Sequence, residues 1–187
     1  NNETIHVGRI FEICVEKGSE LPEGNPGRKY KGRSVFQGND VRDENYDVAI
    51  FQELGSSPAQ LSAVKTCDWY GLQNGHSTEQ IDVEQAYINA ELKGPRTFVR
   101  LPANRVPEKY RHMKDPVFRL EKALYGHPDS GGHWENLCHE TLLGEGWEQI
   151  SRVTWKSSYW HPKFRMLLVV YVDDFRMSGP ETAFEAA

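Results

Sequence analysis

Leu167-Leu168-Val169-Val170-Tyr171-Val172-Asp173-Asp174-Phe175-Arg176 is the stretch that decides how this chain is read. Four apolar residues, a Tyr-Val pair, two adjacent carboxylates and a return to apolar sequence predict two short strands meeting at a tight turn. Adjacent aspartates suit a buried strand poorly, since each unpaired carboxylate costs several kcal/mol or takes up a proton. A bound divalent cation resolves that conflict by keeping both groups ionised and supplying the missing partner. A solvated Asp-Asp turn is the simpler alternative. The apolar run before Asp173 ties the pair to the end of a core strand, so the first reading requires a companion acid elsewhere in the chain.

Composition narrows the class. The chain has 187 residues, 38% of them hydrophobic, with a mean hydropathy of -0.66. That is enough for one sizeable domain or two small lobes. No run approaches the ~18 apolar residues of a membrane helix, and no charged-then-apolar leader opens the chain. Three scattered cysteines, Cys14, Cys67 and Cys138, favour a reducing compartment over a disulfide framework. A net charge of -5 argues against a surface that grips nucleic acid all over, but leaves room for a local basic patch.

That patch comes early. Residues 5–15 alternate well enough for a strand, and residues 16–27 carry the Gly, Pro, Ser and Asn of a loop. Arg28, Lys29, Lys31 and Arg33 then place four positive charges in six residues, leading into Ser34-Val35-Phe36-Gln37. A long hairpin with a basic second strand follows. Its lysines fit either an edge strand protected from aggregation or a strand that grips phosphate.

Residues 38–55 are polar and irregular. Ser56-Ser57-Pro58 predicts a helix start, running to Trp69 or Leu72. A strand over Ser77–Ile81 leads to Asp82, followed by helical spacing from Val83 to Leu92. Asp82 at such a junction either caps a helix or points along a sheet edge. Strands are predicted at residues 97–102 and 116–120, a helix from His133 to Leu143, and short strands at 147–150 and 157–161. His133, Cys138 and His139 match no standard zinc spacing. Strands alternating with two helices, without a Rossmann glycine pattern, predict an α+β fold with a mainly antiparallel sheet and packed helices.

Taken together, Lys29-Tyr30-Lys31-Gly32-Arg33, Asp82-Val83 with Ala86-Tyr87, Lys122-Ala123-Leu124-Tyr125-Gly126 and Tyr171-Val172-Asp173-Asp174 resemble the reverse transcriptase of copia-type LTR retrotransposons. Four motifs in the right order carry far more weight than any one of them. The resemblance implies a right-hand polymerase, with fingers and a partial palm present and the thumb absent. It divides the chain into a fingers-like lobe at 1–75, palm at 76–94, a connection at 95–128, and palm with the Asp-Asp hairpin at 129–187.

The same resemblance implies RNA-directed DNA polymerase activity, a nucleotidyl transfer to a primer 3′-hydroxyl. Asp82, Asp173 and Asp174 match the catalytic acids and, with the Val83 carbonyl, the ligands of two Mg²⁺ ions, for which Mn²⁺ can substitute. Lys31 and Arg33 match triphosphate contacts, and Tyr87 the bulky residue beneath the incoming sugar that selects dNTP over rNTP. The implied partners are an RNA or DNA template with its primer, dNTP, and the rest of a Pol polyprotein (thumb, RNase H and integrase), with no membrane. The implied location is intracellular, in cytoplasmic particles or the nucleus.

Two departures from the family pattern are visible. Its Leu-Lys-Gln segment, whose glutamine lines the nucleotide pocket, is replaced by His127-Pro128-Asp129, which sets Asp129 at that pocket. Gln37 stands where a second arginine usually precedes the glycine. These features suit a second hypothesis, a catalytically inactive or domesticated remnant kept as a nucleic-acid-binding or structural module.

Overall fold

A computed structural model describes residues 3–51 and 57–185. In chain order its elements are β1 (Ile5–Lys17), β2 (Lys29–Phe36), α1 (Leu61–Gly71), β3 (His76–Asp82), α2 (Ala86–Asn89), β4 (Arg96–Arg100), β5 (Val117–Leu120), α3 (Ser130–Gly144), β6 (Glu148–Gln149), β7 (Ser158–His161), β8 (Met166–Tyr171) and β9 (Asp174–Pro180). The architecture is α+β with mainly antiparallel pairing, as the alternation of elements predicted. No helix among the described residues is long and apolar enough to cross a membrane. Two compact units divide the chain: Asn1–Glu53 with Glu91–Ser130, and Leu54–Ala90 with Gly131–Ala187.

The first unit is a four-stranded sheet in the order β2-β1-β4-β5. β1 and β2 form the long hairpin, with Cys14 opposite Gly32 and Lys17 opposite Lys29. The first half of β1 also pairs in parallel with β4, Ile5 opposite Arg96. Phe36, Val41, Ala49 and Val99 form the core, with Ile10, Phe51, Leu101, Phe118, Leu120 and Leu124 packed against them. This core explains the Leu-Tyr-Gly motif. Gly126 has φ +86°, and a Cβ there would collide with the Phe36 carbonyl oxygen. Only glycine accepts both demands cheaply. That close approach lets the Phe36 N–H donate to the Tyr125 carbonyl at 2.7 Å.

The second unit is a five-stranded antiparallel sheet in the order β3-β9-β8-β7-β6. β8 is buried from Met166 to Val170, which explains its unbroken apolar run. Leu167 and Val169 pack with Ala63 and Cys67 of α1. Val170 shares a small cavity with Tyr159, Trp134 and Cys138, which places α3 against the other face. The sequence grouped α1 with residues 1–75, but the helix packs on β3, β8 and β9.

Two helical predictions needed correction. α1 begins at Leu61, after an extended Gln60 with no side-chain cap; Ser56 lies outside the described residues. The predicted first turn is diverted because the Ser57 N–H donates to Glu135 Oε2 at 2.7 Å and the Ala59 N–H to the Val170 carbonyl at 3.3 Å. The helical spacing of 83–92 yields only the single turn Ala86–Asn89. Gln85 sits at φ 54°, and the Leu92 N–H donates to the Glu121 carbonyl at 2.9 Å. Tertiary pairing at both ends overrides the helical pattern.

Candidate active site

In the β3–β9 ladder Asp82 lies directly opposite Asp174, so both side chains leave the same face at one end of the sheet. Asp173 occupies the two-residue turn between β8 and β9, whose ladder closes at Tyr171 opposite Asp174. The Val83 N–H donates to the Asp173 carbonyl at 2.8 Å, joining the chain just after Asp82 to that turn. Backbone pairing brings the three acids, about ninety residues apart in sequence for the first pair (Asp82 to Asp173), to one end of the sheet.

The turn is conformationally costly. Val172 has φ 57°, a region a β-branched residue occupies at roughly 1–3 kcal/mol. Its carbonyl accepts a 2.7 Å hydrogen bond from Trp134 Nε1–H of α3. No motif in the sequence singles out Trp134. The signal that was available is the indole N–H, which needs a partner when the ring is buried.

Like charges directly opposite each other on a sheet destabilise it. Gln80 Nε2 donates to Asp174 Oδ1 at 3.4 Å, and no ion pair among the described residues involves Asp82, Asp173 or Asp174. Hard carboxylate oxygens without a cationic neighbour are the donor chemistry that Mg²⁺ requires. Among the described residues, however, no three Asp, Glu, His or Cys side chains are already gathered closely enough to hold a metal ion. The donors share one sheet end without forming a closed cage.

Tyr87 follows Asp82 on α2 and lines the same small cavity as Trp134 and Val172. His133, Cys138 and His139 form no metal group among the described residues. Burial pushes the Cys138 thiol up to about 12, with the Glu135 charge adding to the shift. His139 Nδ1 lies 3.2 Å from the Tyr159 hydroxyl, whose own pKa burial also raises.

The remaining sequence-predicted residues belong to the first unit. Lys31 and Arg33 stand opposite Val15 and Ile13. Together with Lys17, Val35 and Tyr125 they line a groove of about 420 Å³ with an apolar floor. The Arg33 guanidinium lies over the Tyr125 ring, 5.2 Å from its centroid. Arg28, by contrast, is engaged by Glu16 through bonds of 2.9 and 3.0 Å and closes the hairpin. Of the basic run, Arg28 is therefore structural, Lys31 and Arg33 line an open groove, and Lys29 faces Lys17 across the hairpin, along a strand that is also a sheet edge.

Asp129 is buried at 5% exposure, with Oδ1 lacking a hydrogen-bond partner. Its charge opposes the burial that lowers the pKa of His6. Its N–H donates to His127 Nδ1 at 3.2 Å, and His127 Nε2 lies 3.4 Å from Thr97 Oγ1. In the unusual His127-Pro128-Asp129 segment the His127 and Asp129 side chains are thus folded into the interior of this unit, with Pro128 exposed between them.

Comparison with known proteins adds a family to this geometry. The model of the family described as "Reverse transcriptase (RNA-dependent DNA polymerase)" matches residues 21–184. The chain belongs to the reverse transcriptase family, of the copia type. Similar proteins include two from Saccharomyces cerevisiae, a truncated transposon Ty1-A Gag-Pol polyprotein and a transposon Ty1-BL Gag-Pol polyprotein. Each is 27% identical over 122 residues, which is 65% of this chain. The match spans only 9% and 6% of those polyproteins, respectively. All three acids and the basic strand fall within the reverse transcriptase match.

Proposed function

We propose that this chain is the polymerase segment of a copia-type retrotransposon Pol polyprotein and takes part in RNA-directed DNA synthesis. The observation that carries the reading is the register of Asp82 against Asp174, with Asp173 tied to Val83 beside them. The second unit, which holds the acids, reads as palm, and the first as fingers.

In this reading Asp82, Asp173, Asp174 and the Val83 carbonyl hold two Mg²⁺ ions, or Mn²⁺ in their place. When bound, such ions lower the pKa of an attacking hydroxyl and offset charge on a departing pyrophosphate. The protein's own residues supply position and charge. Asp82 and Asp174 face outward from neighbouring strands, so their carboxylates are available without unfolding either strand. Lys31 and Arg33 bring positive charge to the dNTP triphosphate, and the Tyr125 ring restrains the Arg33 fork. Tyr87 sits beneath the sugar and disfavours a ribose 2′-hydroxyl. The substrates are dNTP and a primer annealed to an RNA or DNA template, with the rest of Pol supplying thumb, RNase H and integrase.

Mg²⁺-dependent primer extension by the parent Pol protein tests this directly. Asp173→Asn is expected to lower extension by at least a hundredfold while leaving template-primer binding intact, since it removes charge without removing bulk. Extension unaffected by that change would falsify the assignment. The alternative, an inactive remnant that retains nucleic-acid binding or a structural role, draws support from Gln37 and from the burial of Asp129. It predicts no extension by the unmodified parent and unchanged binding after Asp173→Asn.

A further inference from the structure

We propose that Trp134 is a positioning residue for the acid-bearing turn, setting the direction of the Asp173 side chain through the Val172 carbonyl. The β8–β9 ladder closes at Tyr171 opposite Asp174, so the carbonyls of Val172 and Asp173 lie outside it. Each is engaged from a different part of the second unit. Trp134 Nε1–H of α3 donates to the Val172 carbonyl at 2.7 Å, and the Val83 N–H, just after β3, donates to the Asp173 carbonyl at 2.8 Å. The two peptide groups on either side of Asp173, those joining it to Val172 and to Asp174, are thereby fixed, and its side chain springs from the residue between them.

The restraint matters because Val172 is held at φ 57°, away from the conformations a β-branched residue prefers. A turn in that state relaxes when its outside partners are removed, and the peptide joining Val172 to Asp173 rotates as it does so. That rotation swings the Asp173 carboxylate relative to Asp82. Trp134 is suited to the task because its ring is itself immobilised: it is buried, and it shares a cavity wall with Tyr87, Cys138, Tyr159 and Val172. A hydrogen bond from a fixed, buried donor restrains its acceptor more tightly than one from a mobile surface side chain.

The effect on metal binding rests on the polymerase reading above, whereas the restraint on the turn does not. The test compares the chain with Trp134→Phe and with Trp134→benzothienylalanine, in which sulfur replaces the indole N–H at nearly constant shape. Mn²⁺ affinity is read from the electron paramagnetic resonance signal of the free ion, turn mobility from hydrogen exchange at the Val83 amide, and folding from thermal melting. Loss of one hydrogen bond predicts Mn²⁺ binding weakened about three- to tenfold and Val83 exchange faster by a similar factor. The benzothienyl variant should do this with a melting temperature lowered by no more than a few degrees, as one lost hydrogen bond requires, whereas a merely structural role would lower the melting temperature and leave Mn²⁺ affinity unchanged. If Trp134→Phe fails to fold, the benzothienyl variant alone decides. Unchanged Mn²⁺ affinity and unchanged Val83 exchange in that variant overturn the proposal. Mn²⁺ binding that is undetectable, or insensitive to Asp173→Asn, counts against the polymerase reading instead; Val83 exchange then still decides the role of Trp134.

Discussion

Replacing Gly71 with alanine tests whether the helix that backs the candidate site sits as close to the sheet as the structure places it. Gly71 ends α1, and a Cβ there would fall inside the radius of Thr78 Oγ1 and 3.1 Å from Ser178 Oγ. Thr78 and Ser178 are register partners on β3 and β9, with hydroxyl oxygens 2.8 Å apart. Cys67 Sγ lies 3.2 Å from the same Ser178 oxygen. A methyl group must therefore either lift α1 or rotate Thr78 out of its hydrogen bond. Overpacking of this kind costs about 1–3 kcal/mol, and alanine's better helix propensity returns less than ~1 kcal/mol at a helix end.

The partner substitution makes the test specific. Thr78→Ala alone forfeits one hydrogen bond, worth about 0.5–1.5 kcal/mol. In the double variant the new methyl occupies the space the hydroxyl leaves, so the main clash is relieved and only the 3.1 Å approaches to Ser178 Oγ and the Ser77 carbonyl oxygen remain. Gly71→Ala/Thr78→Ala should then be little less stable than Thr78→Ala alone, a favourable coupling of about 1–2 kcal/mol. Urea unfolding followed by tryptophan fluorescence measures it. All five tryptophans (Trp69, Trp134, Trp147, Trp155 and Trp160) lie in the second unit, so the signal reports that unit alone. Additivity of the two single changes within ~0.5 kcal/mol would refute the contact. It would equally undermine the placement of α1 behind the strand pair that aligns Asp82 with Asp174, four register steps away.

Acid should weaken the first unit before the second. Burial lowers the pKa of His6 in the folded chain, with Asp129, Glu44 and Asp43 pulling the other way. Between the folded and unfolded values the unfolded chain binds more protons, so the contribution is fully present above the ordinary histidine value near 6.5 and is lost as pH falls from there through the folded value. Circular dichroism melts from pH 7.5 to 5 should show this loss, and His6→Gln should flatten it; an unchanged slope in that variant would discard the assignment. Thiol labelling should split one against two. Iodoacetamide at pH 8 is expected to modify exposed Cys14 readily, while buried Cys67 and Cys138, both with raised pKa, react only after denaturation. Equal labelling rates for all three in the folded chain would contradict the burial.

The strands and the hairpin were legible because their signals are local: alternation in β1, the apolar run of β8 and the loop residues between β1 and β2 each announce themselves within a few positions. Where the sequence misled, a distant partner intervened. Ser57 and Pro58 have helix-start chemistry, but the N–H groups of Ser57 and Ala59 are taken by Glu135 and Val170. Val83 to Leu92 has helical spacing, but its ends are pinned by the Asp173 and Glu121 carbonyls. The acids could be nominated from their motif, whereas their pairing required the β3–β9 register, which nothing local encodes. Trp134 was invisible for the same reason, since its partner carbonyl lies 38 residues away.

Two departures from good folding practice meet at one end of one sheet. Asp82 faces Asp174 across a ladder, and Val172 takes a backbone conformation that valine disfavours. The basic group best placed to relieve the charge is Arg176, two residues beyond Asp174 on the same face of β9. It pairs instead with Asp68 of α1. Had selection acted on stability alone, Arg176 beside the acids and a glycine at Val172 would each have been a simple gain. Uncompensated charge and backbone strain kept together at one place point to a demand on that place other than folding. In the first unit Lys17 likewise faces Lys29 across the β1–β2 hairpin, but there Arg28 has its Glu16 and Arg33 its Tyr125, and no strained turn adjoins the pair. Asp82, Asp173 and Asp174 share one sheet end with no ion pair to any of them among the described residues, and a cation from solution is the partner their chemistry calls for.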